Sequence, residues 1–233
     1  MFRFLLLLVL LMSPQLLPAE ECVVLLHGLF RSSNSMDKME SYLSDNGYST
    51  FNISYESTKH SIEKLSESSI SEALSLTKNS GCKTVHIVTH SMGGILVRDY
   101  LSDHTLENLG RVVMLGPPNQ GSEVVDEIGH WKLFEWLNGP AGLELGTDSL
   151  SLPNQLGEVD FELGIIAGDR SINWINSIMI DGPDDGKVSV ERSKVKGMTD
   201  HLVIHTTHTF MMRNNEVMEQ TLHFLQESRF NKE

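Results

Sequence analysis

The sequence predicts a three-layer α/β domain built on a mostly parallel sheet of about six strands with helices on both faces. Three observations carry that expectation. Short runs rich in Val, Ile and Leu alternate with segments of helical period, the pattern that joins parallel strands by right-handed crossovers. Those runs are near-continuously apolar instead of alternating, as when both faces of a sheet are covered. The 233 residues, 40% of them hydrophobic and 21% charged, suit one domain with a sizeable core and exclude disorder as the main character.

The strand runs are Val23–His27, Tyr48–Tyr55, Thr84–His90, Arg111–Gly116, Phe161–Gly168 and His201–Thr206. Between the first two, Met36, Met39 and Leu43 mark a helix closed by Asn46-Gly47. Ile62, Leu65, Ile70, Ala73 and Leu74 mark a second, ending at Asn79-Ser80-Gly81. Ile95 to Leu101 is a third, and Val217, Met218, Thr221, Leu222 and Leu225 define one at the C-terminus. Two stretches break the alternation. Residues 119–160 carry several glycines and a Trp131/Phe134/Trp136/Leu137 cluster, and residues 169–196 are rich in Asp, Gly and Ser. Long excursions of this kind in a compact domain usually serve function. The aromatic cluster reads equally as a lid or acyl-pocket wall and as a helix packed on the core.

Composition narrows the partners. Lys and Arg number 18 against 31 Asp and Glu, a net charge of −13. Such a surface lacks the cationic footprint that nucleic acid requires, and no basic amphipathic stretch suits an anionic membrane. A small-molecule or lipid substrate is expected, with no more than transient contact with a lipid interface.

The start of the chain reads as a leader. Arg3 precedes nine apolar residues, Phe4 to Met12, and a Pro-broken segment ending at Ala19. A signal peptide spanning residues 1–19 would leave residues 20–233 as the folded domain and direct it to the periplasm or outside the cell. Leu17 is larger than the residue usually preferred three before the cut, and an uncleaved anchor is the other reading. Cys22 and Cys82 are the two cysteines of the chain, too few and too distant for a metal site.

The chemistry centres on Thr89-His90-Ser91-Met92-Gly93-Gly94, where an apolar strand runs straight into an apolar helix. A serine on so sharp a turn needs small neighbours two residues before and after it. Gly93 meets that need; Thr89 is larger than the usual glycine. A serine here can also be a plain helix N-cap. A serine hydroxyl becomes nucleophilic only when a base takes its proton. The expected base is His208, just past the last strand run; His201, His205 and His223 read as structural. The expected carboxylate is Asp185, within Gly182-Pro183-Asp184-Asp185-Gly186-Lys187-Val188, with Asp169 as the alternative acid and Asp184 and Asp181 as further candidates. The order Ser91, Asp185, His208 is the one used by folds with such an elbow. The oxyanion is expected to meet the backbone N–H groups of Met92 and of Leu29, after the His27-Gly28 turn.

With these motifs the sequence resembles the α/β-hydrolase superfamily, and within it the small bacterial lipases and esterases. The resemblance runs from Leu-Leu-His-Gly-Leu at 25–29 through Thr-His-Ser-Met-Gly-Gly at 89–94 to the C-terminal helix. Leu115-Gly116-Pro117-Pro118-Asn119-Gln120-Gly121-Ser122 is similar to the segment bordering the acyl pocket in many members. It implies hydrolysis of carboxylic esters through an acyl-serine, with no cofactor; no metal is expected, because the spacing of Asp181, Asp184 and Asp185 matches no known ligand loop. An acyltransferase and an amidase or lactonase use the same triad; a non-catalytic binding module of this fold would lack a triad member, and here all three candidates are present. No room precedes Cys22 for extra antiparallel strands, so a minimal six-stranded sheet is expected. The fold so implied makes Val23–His27 and Thr84–His90 neighbours. It brings Cys22 and Cys82 near each other at the edge away from the site, where a disulfide would need about three residues of slack.

Overall fold

The structure is a computed structural model that describes residues 20–128, 139–172 and 174–232. The leader segment 1–19 and the aromatic cluster at 131–137 lie outside the described residues. Six strands form one sheet: β1 (Glu21–Leu26), β2 (Ser49–Ile53), β3 (Thr84–His90), β4 (Leu109–Leu115), β5 (Leu163–Gly168) and β6 (Asp200–Ile204). Their order is β2-β1-β3-β4-β5-β6, and every pairing is parallel. The sheet is thus wholly parallel, one step beyond the mostly parallel expectation. From β1 the chain moves outward to β2, then crosses back to β3 and proceeds the other way. That reversal opens a crevice at the carboxyl ends of β1 and β3.

Helices among the described residues include α1 (Asp37–Asp45), α2 (Ile62–Asn79), α3 (Met92–Asp103), α4 (Glu123–Ile128), α5 (Leu152–Gln155), α6 (Trp174–Met179) and α7 (Asn215–Glu227). Side chains of a strand alternate between faces, and β1 divides its apolar run accordingly. Val23 and Leu25 join Met39 and Leu43 of α1 and Val217 and Phe224 of α7 in one core. Val24 and Leu26 join Ile70 and Ala73 of α2 and Val97 and Tyr100 of α3 in the other. Burial on both faces is why the strands read as unbroken apolar runs. Helix ends follow local chemistry. Ser61 accepts a hydrogen bond from the Lys64 amide at the start of α2, and Asn214 accepts one from Val217 at the start of α7. The excursion after β4 holds α4 and α5; Arg98 of α3 anchors its two ends. The guanidinium donates to the carbonyls of Asn119, Pro153 and Gly157 at 2.9, 3.1 and 2.7 Å.

Cys22 and Cys82 are joined, with Cα atoms 5.9 Å apart. Cys22 stands opposite Val85 in the β1–β3 ladder, so Cys82 is three residues out of register. The slack comes from a turn: the Lys83 and Thr84 amides both donate to the Glu20 carbonyl at 2.9 and 3.1 Å, folding residues 82–84 over the start of β1. The bridge closes a loop of 60 residues. Replacing both cysteines by alanine should lower the unfolding free energy by about 4 kcal/mol, the chain-entropy value for such a loop. Urea unfolding under oxidising conditions checks it, and an unchanged midpoint would mean the bridge contributes nothing.

Candidate active site

Ser91 sits at the corner between β3 and α3 with φ 54° and ψ −125°. A non-glycine residue in this region carries about 1–3 kcal/mol of strain. The surroundings hold it there. The Ser91 amide donates to the Leu115 carbonyl at the end of β4 (2.8 Å), and its carbonyl accepts from Gly94 (3.0 Å). The requirement for a small residue two positions later has a concrete cause. A Cβ on Gly93 would lie 2.8 Å from the Leu26 carbonyl oxygen and 2.9 Å from that of His27. The first turn of α3 therefore rests directly on the backbone at the end of β1. Thr89, the oversized residue before the turn, is fully buried and its hydroxyl has no hydrogen-bond partner among the described residues.

The loop after β6 carries His208 to this corner. Its Nε2 lies 2.9 Å from Ser91 Oγ and its Nδ1 lies 2.7 Å from Asp185 Oδ2. A carboxylate can only accept, so Nδ1 carries the proton and Nε2 is free to accept from the serine hydroxyl. Asp185 is 2% exposed. Its other oxygen accepts from the amides of Lys187 (3.0 Å) and Val188 (2.9 Å), and its carbonyl accepts from the His208 amide (2.9 Å). Backbone and side chain together lock the imidazole to the acid. Gly116, at φ 55°, gives both groups their space: a Cβ there would lie 3.0 Å from Asp185 Oδ2 and 3.1 Å from His208 Nδ1.

Two further histidines support the frame. His90 is buried, and its Nε2–H donates to the His208 carbonyl (3.0 Å) while its ring packs tilted against His208 at 4.8 Å between centroids. Burial, reinforced by the neighbouring His208 imidazole, holds its pKa well below the usual histidine range. His90 therefore stays neutral and acts as a hydrogen-bonding brace. His27 stacks on Tyr55 at 3.9 Å, donates from Nδ1 to the Gly28 carbonyl (2.9 Å) and accepts the Tyr55 amide at Nε2 (3.4 Å). The Tyr55 hydroxyl donates to the His27 carbonyl. These bonds fix the loop that follows β1. In that loop the Phe30 amide is taken by Ser57 Oγ (3.1 Å) and Phe30 itself has φ 63°. The Leu29 amide has no acceptor among the described residues. Met92 is the first residue of α3, so its amide also lacks an intrahelical acceptor. Both expected oxyanion donors are thus uncommitted.

A cleft of about 80 Å³ opens beside Ser91 and His208. Leu29, Pro118, Val124, Val125, Leu145 and Val188 make it largely apolar, while Arg31 and Lys187 also line it. Neither cation was legible as a site residue, because each lies in a loop with no periodicity and meets the serine only through the fold.

The alternative carboxylates are elsewhere. Asp169 pairs with His205 Nδ1 at 2.8 Å on the surface, because β5 ends with its next residue turned from His208. Asp184 points away from Asp185, accepting from the Gly186 amide (2.7 Å) and Ser177 (2.9 Å). Asp181 has no described contact with the site. His201 Nε2 meets Ser193 Oγ, and His223 Nδ1 meets the Arg229 carbonyl. His205 lies one residue beyond β6 instead of within it.

A six-stranded parallel sheet with a strained serine between strand and helix defines the α/β-hydrolase class. A model of the palmitoyl protein thioesterase family matches residues 22–150, over half of the chain, and the chain belongs to that family. Membership places it, at family level, among hydrolases of ester and thioester bonds. A search of curated proteins found no match. Among solved structures, the mature lipase BlEst2 of Bacillus licheniformis superposes with a TM-score of 0.73 at 20% identity, covering 89% of this chain and 93% of that one. A metagenomic carboxyl esterase gives 0.64 at 18%, covering 82% and 65%. The phospholipase PlaB of Legionella pneumophila, in complex with thio-NAD, gives 0.67 at 16%, covering 87% of this chain and 56% of the other. Identities this low speak to the fold.

Two expectations follow from the frame. Gly116→Ala should destabilise the protein by about 1–2 kcal/mol, since alanine is strained at positive φ and presses on the Asp185–His208 contact; urea unfolding measures it. Burial also depresses the pKa values of His27, His86, His90 and His201. The unfolded chain then binds more protons than the folded one as pH falls through about 6.5. Stability should be complete above that pH and decline toward pH 5, by up to about 1.4 kcal/mol per pH unit for each such histidine. A urea midpoint equal at pH 7.5 and pH 5 would contradict this.

Proposed function

We propose that this protein is a serine hydrolase of carboxylic esters and thioesters, working through an acyl-serine intermediate. The observation that carries the reading is the relay from Asp185 through His208 to Ser91, with contacts of 2.7 and 2.9 Å, at the mouth of an apolar cleft. His208 takes the hydroxyl proton as Ser91 Oγ attacks the acyl carbon. The Leu29 and Met92 amides stabilise the oxyanion that develops. Asp185, buried and already holding Nδ1–H, stabilises the imidazolium. His208 then gives its proton to the leaving alcohol or thiol, and the acyl group stays on Ser91. Water, deprotonated by His208, attacks the acyl-serine; its collapse releases the acid and returns the proton to Ser91.

The apolar lining suits an acyl chain, and the family's description supports thioesters beside oxygen esters. A fluorophosphonate probe should label the wild type and not Ser91→Ala. The same substitution should lower kcat/KM on p-nitrophenyl and thioester substrates by about 10⁴-fold or more, and Asp185→Asn by about 10³–10⁴-fold with KM little changed. A folded wild type that neither labels nor turns over any ester would overturn the reading. We also propose that residues 1–19 are a cleaved leader and that the protein works outside the cytoplasm, a reading supported by the Cys22–Cys82 bridge. The intact mass of exported protein, about 214 residues under cleavage after Ala19, tests it.

A further inference from the structure

The chain carries a net charge of −13, yet the two charged side chains that line the cleft away from the relay are both cations, Arg31 and Lys187. Several cations elsewhere have carboxylate partners among the described residues: Lys83 with Glu20, Arg111 with Glu162, Arg192 with Glu123, Lys196 with Glu158. Neither Arg31 nor Lys187 has a side-chain hydrogen bond or ion pair among the described residues. Asp185, two residues from Lys187, is already occupied by His208 and two amides.

The position of Lys187 is not left to chance. Its amide donates to Asp185 Oδ1 (3.0 Å), and its carbonyl accepts from Ser122 Oγ (2.7 Å). The backbone is pinned on both sides, so the side chain enters the cleft from the acid's own loop. Arg31 follows Leu29 by two residues, in a turn closed by its amide on the Gly28 carbonyl (3.3 Å). Burial depresses the pKa of Lys187 and the charge of Arg31 depresses it further, while the Asp185 carboxylate opposes both. Arg31 and Lys187 keep contact with solvent, and neither is bonded to a carboxylate among the described residues, so both charges are available to a ligand in the cleft. A bound anion would be attracted by both at once.

The side of the cleft follows from the relay. His208 must deliver its proton to the leaving atom, so the alcohol or thiol portion lies against His208. Lys187 adjoins the acid that holds His208, and Arg31 lines the same cleft. The apolar residues Val124, Val125 and Leu145 come from a separate segment and are left for the acyl chain.

We propose that Arg31 and Lys187 form an anion-recognising subsite on the leaving-group side. The preferred substrates are then esters or thioesters whose alcohol or thiol carries a phosphate or carboxylate near the scissile bond. The inference rests on the hydrolase reading above. Its test compares matched pairs at one acyl length: decanoylglycerol phosphate against decanoylglycerol, and S-decanoyl-N-acetylcysteine against its methyl amide. The first pair reports on phosphate and the second on carboxylate.

The wild type should favour the charged member of at least one pair by about tenfold in kcat/KM, the low end of what charge focusing in a cleft supplies. That ratio should fall toward unity in Arg31→Gln/Lys187→Gln, persist in Lys187→Arg, and shrink as salt is raised. All substrates are used below their micelle-forming concentration. Hydrolysis of neutral and charged members at equal rates would overturn the subsite and leave the hydrolase standing. A ratio unchanged in the double glutamine variant would likewise overturn it. Failure to hydrolyse any of the four would remove both readings together.

Discussion

The carboxyl edge of the sheet is organised around one serine whose backbone is held at positive φ. That conformation lifts the hydroxyl off the sheet, toward His208, and leaves the next amide, that of Met92, without an acceptor. It is unfavourable in isolation and survives because both neighbouring strands contribute backbone to it. Leu115 at the end of β4 accepts its amide, and the carbonyls of Leu26 and His27 at the end of β1 lie against Gly93. A serine so placed requires β1, β3 and β4 side by side. The elbow is thus a property of the sheet as much as of its own segment.

The groups around the elbow obey a common rule: a buried polar group needs a partner or must stay neutral. Asp185 is charged and nearly sealed from solvent, and it is matched by one imidazole N–H and two amides. His90 is sealed too and holds a single carbonyl, so it remains neutral and serves to brace the His208 backbone. Arg98, with no carboxylate partner among the described residues, gives its two terminal nitrogens to carbonyls from three separated positions and leaves only Nε without an acceptor; burial brings its pKa to about 10, which still leaves it charged. By gathering those carbonyls it ties the excursion after β4 to the helix that begins at Ser91.

Much of this was legible before any fold was in view, because it is local. The apolar runs named all six strands, and β3 matches its expected bounds, since burial on both faces leaves an unbroken signal. The ends were less legible: β1 begins at Glu21 and β6 stops at Ile204, because ladder pairing, not hydrophobicity, sets where a strand stops. The Thr-His-Ser-Met-Gly-Gly segment announced its turn through the small residue that the β1 backbone demands. The cysteines were readable as a pair only to within three residues, the shift absorbed by the turn over Glu20.

Chain order and residue type, then, determined the alternating α/β architecture, the serine at the strand-to-helix turn and the histidine after the last strand, since each is written in a few consecutive residues. Tertiary structure alone decided among the carboxylates. Asp169, Asp184 and Asp185 are alike in composition and setting along the chain, and only the path of the loop after β5 sends Asp185 to His208 and Asp169 to His205. It also decided that Arg31 and Lys187, 156 positions apart by their numbers, share one cleft. Local sequence carries backbone preference and burial, whereas a pairing across loops depends on where the whole sheet brings their ends.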